Sequence, residues 1–334
     1  MHDFITIGGT TRDISFFTDQ GVLLDNKRDI LRQKLLAFES GAKIKVDRFY
    51  YSFGGGAANA AVCLTNFGLK TACLAPVGDD ENGREIIANL KRRGVDAKLV
   101  EKKTGAQSGS SFILIDPSGE RIIFAQRGAN KSLAISSRQL GSLRQAKNIY
   151  IASLTGNWLK NLRAIFSAVA PDGPSVFWNP GMTQYAHGPE KLGPFLKKTK
   201  VLACNKDEAI QFVLASKKNK YSQTVLNREE NLVKIIHSFG PKVAVLTLGD
   251  DGVIVYDGRK IYRRFIKKDK KRVDTTGIGD VFNSSFAAGM ELFRGDIDKA
   301  LDLSLKNAAA KVAHLGAQVG LLTRRDILKD IKKK

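Results

Sequence analysis

The chain has 334 residues, of which 43% are hydrophobic, and a net charge of +21 from 54 basic and 33 acidic residues. This length and composition suit one large α/β domain or two ordinary ones, and they exclude a largely disordered chain. No apolar run reaches the roughly 18–20 residues of a membrane span. Because the N-terminus also lacks the basic start and cleavage site of a secretory signal, we expect a cytoplasmic protein with no membrane partner.

The cysteines and the positive charge narrow the possible partners. Cys63, Cys73 and Cys204 lie far apart without CxxC spacing, which argues against disulfides and zinc and favours a reducing compartment. A strongly basic chain fits either a nucleic-acid surface or a solvated surface that attracts anionic nucleotides. The basic runs are scattered, at 217–220, 267–272 and 332–334, and no aromatic residues alternate with them. We therefore do not expect nucleic-acid binding to be the main function.

The first 80 residues predict a buried strand, an insertion and a helix, in that order. Residues 4–8 form the apolar strand, and 13–18 and 43–52 alternate apolar and polar residues like strands with one open face. The charged segment 25–38 between them has helical spacing, so the three together predict an insertion standing off the main sheet. A helix of small residues at 57–67 and a strand at 71–77 follow.

Strands and helices alternate over most of the remaining chain. Strands are predicted at 111–116, 121–126, 148–152, 175–179, 201–205 and 243–248, and helices at 84–93, 158–169, 206–215 and 228–238. This alternation predicts a mostly parallel sheet covered on both faces. A hairpin at 253–265 and helices near 280–293, 297–314 and 324–331 complete the chain. Ligands bind beyond the carboxyl ends of such strands, where the polar clusters at 8–13, 179–181, 205–208 and 248–252 fall.

The segment Asp274-Thr-Thr-Gly-Ile-Gly-Asp280 carries the strongest chemical signal. Its two glycines precede an apolar helix and let the backbone approach a ligand closely. The free N–H groups and the dipole at a helix start favour an anion there. Asp280 could serve as a helix cap alone, as Asp commonly does. A cap does not explain the two glycines, so the segment favours an anion site with a carboxylate beside it.

This segment is similar to the C-terminal signature DTTGAGDxFN of the ribokinase-like (PfkB) carbohydrate kinase family, and it departs from that signature only at Ile278. The segment Gly54-Gly-Gly-Ala-Ala-Asn59-Ala-Ala resembles the family's N-terminal signature, GGxxxNxA. The resemblance extends from about residue 5 to 323. It implies a single domain over 1–334, a three-layer αβα sandwich with a mostly parallel central sheet. It also implies a small β-lid formed by about 13–18 and 43–52 with the insertion between them.

The same resemblance implies roles for individual residues. Asp280 would be the catalytic base, and Gly277, Ile278 and Gly279 would donate backbone N–H groups to the transferring phosphoryl. The sugar would contact Asp13, Thr11, Gly55, Gly56 and Asn59. ATP would contact Asn205, Thr247, Gly249, Gly252 and Asn307. Mg²⁺ would bind Glu208 through water, and K⁺ would bind at Asp274, Thr276 and Gly316. Taken without the resemblance, 205–208 is an ordinary capped helix start. The family also suggests a homodimer through the lid.

The resemblance implies an ATP-dependent phosphotransferase acting on a hydroxyl of an unphosphorylated sugar. Gly56 stands where members acting on phosphosugars often carry Lys, which argues for an uncharged substrate. Residues 153–156 lack a Glu common in ribose-specific members, which puts ribose itself in question. An adenosine-like nucleoside is the alternative substrate, since the lid aromatics Phe16, Phe17, Phe49 and Tyr51 would suit a base.

Other function classes are excluded or remain as rivals. The chain has no Walker A motif, no HRD or DFG sequence, and no GxGxxG after the first strand. These absences exclude P-loop enzymes, protein kinases and nicotinamide enzymes of the usual kind. A catalytically silent module that senses a sugar or nucleotide, or associates with nucleic acid, remains as the rival class.

Overall fold

A computed structural model describes residues 1–25, 34–115, 121–217, 220–266 and 273–331. The strands are β1 Phe4–Ile7, β2 Thr11–Phe17, β3 Val22–Asp25, β4 Lys34–Ala37, β5 Arg48–Gly54, β6 Thr71–Leu74, β7 Pro76–Gly78, β8 Glu101–Lys103, β9 Ser110–Ile115, β10 Arg121–Gln126, β11 Asn148–Ile151, β12 Ser175–Trp178, β13 Val201–Asn205, β14 Val243–Thr247, β15 Val253–Tyr256 and β16 Ile261–Arg264. The helices are α1 Gly56–Asn66, α2 Glu81–Arg92, α3 Ser137–Arg144, α4 Trp158–Phe166, α5 Met182–Tyr185, α6 Gly188–Leu196, α7 Lys206–Leu214, α8 Gln223–Asn227, α9 Glu229–Ser238, α10 Ile278–Leu292, α11 Ile297–Lys311 and α12 Arg324–Ile331.

The central sheet is mostly parallel, as the alternation of elements predicts. Within the described ranges it has eight strands in the order β6-β1-β11-β12-β13-β14-β15-β16. The strands from β6 to β14 run parallel to their neighbours, and β15 and β16 add an antiparallel hairpin at one edge. The hairpin is the one predicted at 253–265.

Alternation along the strands divides the apolar residues between two cores. In β1, Ile5 and Ile7 belong to the core that packs against α3, α4, α6, α7 and α9, while Phe4 belongs to the core under α1, α10 and α11. β13 divides in the same way, with Leu202 in the first core and Val201 in the second. Strands buried on both faces require helices on both sides, and the result is the expected three-layer sandwich.

A second sheet of four strands, in the order β10-β9-β2-β5, forms the lid. The sequence predicted β2 and β5 as lid strands, and β9 and β10 extend the same sheet. Successive residues of a strand point to opposite faces, so cross-strand register decides which residues share a face. Asp13 pairs with Ser52 and Ser111, and these three residues therefore share one face.

The predicted helix at 25–38 is wrong where the structure describes it. Val22–Asp25 and Lys34–Ala37 are strands, and they pair antiparallel with Leu23 opposite Leu36. Residues 26–33 lie outside the described residues. The apparent helical spacing arose because charged residues separate two short leucine-containing strands, and their cross-strand pairing is not visible in a single periodicity.

The sequence missed some shorter elements. α3, α5, α6, α8 and the short pairing of β7 with β8 were not predicted, and the strand predicted at 71–77 is divided between β6 and β7. All three cysteines are free and buried. Within the described ranges, no helix combines the length and the apolar character that a membrane crossing requires.

Candidate active site

The carboxyl ends of the parallel strands meet at one edge of the central sheet. Backbone hydrogen bonds continue there past the strand ends, from Gly8 N to the Leu74 carbonyl, from Ala152 N to the Ile7 carbonyl and from Asn179 N to the Ile151 carbonyl. Asn205 and Thr247, the last residues of β13 and β14, pair at the same edge. This is the edge at which open α/β sheets bind ligands.

Three consecutive glycines, Gly54, Gly55 and Gly56, allow the lid, the central sheet and α10 to approach one another closely. A Cβ atom added at Gly54 would lie 2.1 Å from Asp13 Oδ2, and one at Gly55 would lie 2.4 Å from the Gly9 carbonyl oxygen. A Cβ at Gly56 would lie 2.8 Å from Ala152 Cβ and 3.5 Å from Asp280 Oδ1. Since Gly54 and Gly56 are at most about 7 Å apart along the chain, the carboxylates of Asp13 and Asp280 lie close to the same short segment.

Asp280 lies in the first turn of α10 and is held by a buried chain of amides. Asn59 Nδ2 donates to Asp280 Oδ2 at 2.8 Å, Gln318 Nε2 donates to Asn59 Oδ1 at 3.1 Å, and Asn89 Nδ2 donates to Gln318 Oε1 at 2.9 Å. Burial raises the pKa of Asp280 above its ordinary value, and the hydrogen bond from Asn59 lowers it in part. The dipole at a helix start favours an ionised carboxylate, whereas burial is the larger effect on Asp280 in the structure.

The loop before α10 has the conformation that an anion site requires. Gly277 has a φ of 72°, a left-handed conformation that glycine adopts readily, and α10 begins at the next residue. The first intrahelical bond is donated by Val281 to the Gly277 carbonyl, so the N–H of Gly279 precedes it and faces no helical acceptor. The N–H of Ile278 differs from our expectation, because it donates to the Thr275 carbonyl at 3.3 Å.

Asp13 presents a buried oxygen without a partner toward the site. Its Oδ1 atom has no hydrogen-bond partner among the described residues, although the side chain is almost fully buried. Burial raises the pKa of Asp13, and hydrogen bonds from the Thr11 and Ser111 hydroxyls lower it in part. Buried polar atoms are nearly always paired in native structures, so this oxygen is a candidate acceptor for a hydrogen bond from a ligand.

The lid aromatics divide between the two faces of the lid sheet. Phe17 pairs with Arg48 and Ile115 on the face of Asp13, but Phe16 pairs with Phe49 and Ile14 with Tyr51 on the opposite face. Phe16, Phe49 and Tyr51 therefore do not line the Asp13 side, and the expectation that they would hold a nucleoside base is wrong. The register of the sheet decides this.

The residues expected near the nucleotide have different surroundings. Asn205 and Glu208 form a reciprocal capping box, with Glu208 N donating to Asn205 Oδ1 at 2.8 Å and Asn205 N donating to Glu208 Oε2 at 3.0 Å. Burial raises the pKa of Glu208, and the negative charges of Asp280 and Asp207 raise it further. Glu208 thus serves the helix start and also faces the same electrostatic environment as Asp280.

Thr247, Gly249 and Gly252 surround the turn after β14. The Thr247 hydroxyl donates to the Cys204 carbonyl at 3.4 Å, and both glycines have positive φ angles. A Cβ at Gly252 would lie 2.0 Å from the Arg264 carbonyl oxygen, whereas one at Gly249 would meet no atom within 4 Å. Gly252 is therefore required by the fold, and Gly249 leaves open space at the sheet edge.

Asn307 does not present its side chain to a ligand. It is fully buried, and Asn307 Nδ2 donates to Ser285 Oγ at 2.8 Å while Leu322 N donates to Asn307 Oδ1 at 2.7 Å. Both ends of the amide are used to join α10, α11 and the chain after α11. The expected contact of this side chain with ATP is not compatible with this arrangement.

The residues implied as a potassium site surround a carboxylate that already has donors. Asp274 Oδ1 accepts the N–H of Thr276 at 2.7 Å, and Asp274 Oδ2 accepts the N–H of Gly316 at 2.8 Å. Lys311 Nζ donates to the Asp274 carbonyl at 2.8 Å and lies 3.6 Å from Oδ2. Burial lowers the pKa of Lys311 to about 8, and the charge of Asp274 opposes that shift. Thr276 and Gly316 therefore face this carboxylate with N–H donors, and the adjacent cation is a lysine.

Sequence reasoning missed Ser111, Arg121, Lys311 and Gln318. Arg121, the first residue of β10, donates to the Thr275 hydroxyl and lies 3.7 Å from Asp274 Oδ1. The signal for Lys311 was present in principle, because it is a lysine on the apolar side of an amphipathic helix. The other residues give no signal in the sequence, since their roles depend on register and on contacts between distant segments.

A cleft of about 600 Å³ opens beside the amide chain. It lies between β5, the end of α2 and the segment after α11, and Asn89, Arg92, Arg93 and Gln318 are among its lining residues. Asp280, Asp13 and the loop 277–279 do not line it. The cleft therefore lies beside the candidate reacting centre and does not include it.

Comparison with known proteins gives matches to carbohydrate kinases. A model of the pfkB family of carbohydrate kinases matches residues 26–324. An uncharacterised sugar kinase of Archaeoglobus fulgidus is 29% identical over 260 residues, which cover 77% of this chain and 97% of the relative.

Solved structures share the fold. Arabidopsis thaliana ribokinase, complexed with ribose and ATP, has a TM-score of 0.78 at 20% identity and covers 99% of each chain. A Burkholderia thailandensis nucleoside kinase, in complex with inosine, has a TM-score of 0.77 at 17% identity and covers 99% of this chain and 98% of the other. With the family model matching most of the sequence, the chain belongs to the pfkB family of carbohydrate kinases.

Proposed function

We propose that this kinase transfers the γ-phosphoryl group of ATP to a hydroxyl of an unphosphorylated sugar, with Asp280 as the catalytic base. The observation that supports this most strongly is the arrangement at the start of α10. A carboxylate with a raised pKa lies in the same turn as the Gly279 N–H, which precedes the first intrahelical bond, and this turn follows a left-handed glycine. A base and an anion site in one turn are the two protein groups that in-line phosphoryl transfer requires.

In the proposed mechanism the substrate hydroxyl lies against Asp280, opposite the γ-phosphoryl group. Asp280 takes the hydroxyl proton as the new O–P bond forms and the bond to the β-phosphate oxygen breaks. The N–H of Gly279, with that of Gly277, stabilises the charge on the equatorial oxygens of the phosphoryl group. The amide chain that ends at Asn59 holds the carboxylate in one orientation.

Glu208 fits a magnesium site through water. Its pKa is raised by burial and by the nearby negative charges of Asp280 and Asp207, so a cation there would relieve that repulsion. Magnesium usually keeps several of its waters and needs only one or two protein carboxylates. When bound, it would neutralise charge on the ATP phosphates. Glu208 itself would bind one of those waters and position them.

The sugar is proposed to lie between Asp13 and Asp280. The unpaired Oδ1 of Asp13 would accept a hydrogen bond from a sugar hydroxyl, and Gly55 and Gly56 allow the ring to approach the backbone. The nearest cation in sequence, Arg12, is on the opposite face of β2, where its guanidinium stacks on Tyr51 and Phe53. It is therefore not available to bind a substrate phosphate, which favours a neutral sugar.

A nucleoside is the second candidate substrate. The nucleoside kinase with inosine shares the fold, and Phe17 and Tyr50 lie on the Asp13 face of the lid with ring centroids 5.5 Å apart. These two aromatic rings could contact a base attached to the sugar. Neutral sugars remain our first choice because the other aromatic lid residues named above face away.

A substrate screen tests the proposal. The purified protein is incubated with ATP, Mg²⁺ and a panel of neutral sugars, phosphosugars and nucleosides, and ADP release and product mass are measured. We expect a phosphorylated neutral sugar as the main product and no product with Asp280→Asn. A main product derived from a phosphosugar would contradict the substrate, and ATP binding without turnover of any compound would favour the silent sensing module.

The outer face of the lid is proposed to contact a second copy of this chain in a reducing cytoplasm. Phe49, Tyr51, Phe112 and Phe124 lie on that face, and Phe49 and Phe124 are 60% and 57% exposed. Clustered exposed aromatic residues are typical of protein interfaces. Light scattering should give a dimer, and Phe124→Glu should give a monomer. A wild-type protein that is monomeric at all tested concentrations would contradict the dimer.

A further inference from the structure

A lysine ammonium lies beside the Asp274 backbone carbonyl and carboxylate. Lys311, the last residue of α11, is fully buried, and its Nζ atom is 2.8 Å from the Asp274 carbonyl oxygen and 3.6 Å from Oδ2. The Asp274 side chain is 8% exposed. A buried ammonium group is strongly disfavoured unless it is paired, and here its charge is matched by this carboxylate.

The surroundings of Asp274 do not fit an additional monovalent cation. Such ions bind protein through oxygen atoms, often backbone carbonyls that replace water. Here the Asp274 carbonyl accepts from Lys311, and the two carboxylate oxygens accept N–H groups of Thr276 and Gly316. The Arg121 guanidinium lies 3.7 Å from Oδ1 as a second positive charge. A metal cation would have to displace donors and approach two positive groups, which repel it.

We propose that the ammonium group of Lys311 takes the place of a monovalent metal cation and makes the enzyme independent of potassium. The inference rests on the proposed kinase function. Lys311 acts as a positioning residue, because its ammonium group is bonded to Asp274 and acts through it on the loop that carries the proposed anion site.

The connection to the anion site is short. Asp274 is three residues before Gly277, and its carboxylate fixes the Thr276 N–H on one side and the Gly316 N–H on the other. The next residue after Gly316, Ala317, would contact a Cβ atom added at Gly277 at 2.5 Å. Lys311 neutralises the Asp274 carboxylate, and this carboxylate holds the two segments that shape the left-handed turn before α10.

The first measurement uses the wild-type protein alone. Turnover of the best substrate and the melting temperature are compared in potassium chloride and in choline chloride of equal ionic strength. We expect the same kcat, KM and melting temperature in both salts, because no site remains for the metal ion. A kcat that is several-fold higher in potassium chloride would overturn the proposal.

The second measurement uses Lys311→Met, with Lys299→Met as its control. Lys299 lies on the same helix, but it is exposed and pairs with the surface carboxylate of Asp296 at 3.2 Å. In choline chloride, Lys311→Met should lose kcat by about 100-fold, because a small displacement of positioned groups costs that much. Potassium should restore part of the kcat and raise the melting temperature, since a ligand bound only by the folded state stabilises it. Lys299→Met should behave as wild type.

Each outcome decides the proposal. A folded Lys311→Met variant with wild-type kcat in choline chloride would overturn it, as would a kcat that is low and equal in both salts. If the variant does not fold, the comparison of wild type in the two salts still decides. If wild type turns over no compound in either salt, the proposed function fails, while the melting temperatures in the two salts still test whether a metal cation binds.

Discussion

At the scale of single residues, the two carboxylates of the site share one physical condition. Asp13 is buried and Asp280 is half-buried, and burial raises the pKa of each. They differ in their partners, since Asp280 is held by Asn59 and Asp13 Oδ1 has no partner in the described part of the chain. We interpret the first as a positioned base and the second as a substrate acceptor.

Replacing Asp280 with Asn tests the base. The substitution preserves size and the ability to cap a helix, so a residue that only capped α10 would leave turnover intact. We expect kcat to fall by at least about 100-fold, because positioned general bases contribute about 10²–10⁴. ATP affinity and the melting temperature should change little. The control is Asp296→Asn, since Asp296 caps α11 and accepts from Lys299 N at 3.0 Å. Near-wild-type turnover in folded Asp280→Asn would mean that the base lies elsewhere.

The pH dependence of turnover follows from the same residue. A carboxyl group acts as a base only when ionised, and the pKa of Asp280 is raised above 3.8. The rate should therefore fall, as the pH decreases, at a pH above that of an ordinary Asp. Asn59→Ala removes the hydrogen bond that lowers this pKa and should move the acid limb to still higher pH. A kcat profile that stays flat down to the ordinary Asp range would contradict the assignment.

Asp13 and Gly54 should give the same phenotype when substituted. Asp13→Ala removes a charged acceptor for sugar hydroxyls, and such hydrogen bonds are worth roughly 1.5–3 kcal/mol, so kcat/KM for the sugar should fall about ten- to a hundred-fold. Gly54→Ala places a Cβ atom 2.1 Å from Asp13 Oδ2 and should displace that carboxylate. Gly141→Ala is the control, because its added Cβ meets no atom within 4 Å. Unchanged kcat/KM in Asp13→Ala would remove Asp13 from the site.

At the scale of elements, the start of α10 combines a requirement of the fold with a requirement of the chemistry. Gly277 is needed by the backbone, because its φ is 72° and an added Cβ would lie 2.5 Å from Ala317 Cβ. Gly279 is exposed, and a Cβ there would meet no protein atom within 4 Å. The fold therefore explains the first glycine, and we propose that a ligand explains the second.

Alanine substitutions separate these two requirements. Gly277→Ala should lower both the melting temperature and kcat, because the turn is strained. Gly279→Ala should leave the melting temperature at or above the wild-type value, since alanine favours the helix. Its kcat should nevertheless fall about ten- to a hundred-fold if the methyl group displaces the phosphoryl group by a fraction of an ångström. Wild-type kcat in Gly279→Ala would show that the phosphoryl group lies elsewhere.

At the scale of the whole molecule, the net charge of +21 needs no nucleic-acid partner. Part of the basic sequence is matched locally, as in the pairs of Arg264 with Asp298 and Asp302 and of Lys206 with Glu229. The remaining charge favours the approach of anionic nucleotides in general. Surface pairs of this kind add little stability, so we assign the charge to solvation and steering.

Binding to duplex DNA tests this interpretation. Contacts between basic side chains and phosphates release counterions, so their affinity falls steeply with salt. We expect weak binding at low ionic strength and none at about 200 mM salt, measured by fluorescence anisotropy. Sub-micromolar affinity that survives at that salt concentration would contradict the interpretation.

The sequence by itself determined the fold class, and it located along the chain the residues that we propose to react. Alternating strands and helices predicted the parallel sheet, because strands buried on both faces are uniformly apolar and need crossover helices. The glycines at 277 and 279 predicted a sharp turn into a helix, because backbone conformation is a local property. These signals are read within about ten residues, where sequence and conformation are tightly coupled.

Only the tertiary structure decided which side chains meet and which are already used. The bond from Gln318 to Asn59 joins residues 259 positions apart, and Lys311 reaches Asp274 across 37 positions. Phe49 and Phe17 lie on opposite faces of the lid because of the strand register. A register shift of one residue would reverse this arrangement. Asn307 matched a family position, but its side chain is buried and bonded to Ser285 within the core. Such pairings depend on packing between distant segments, and a local pattern of residues does not determine the free energy of that packing.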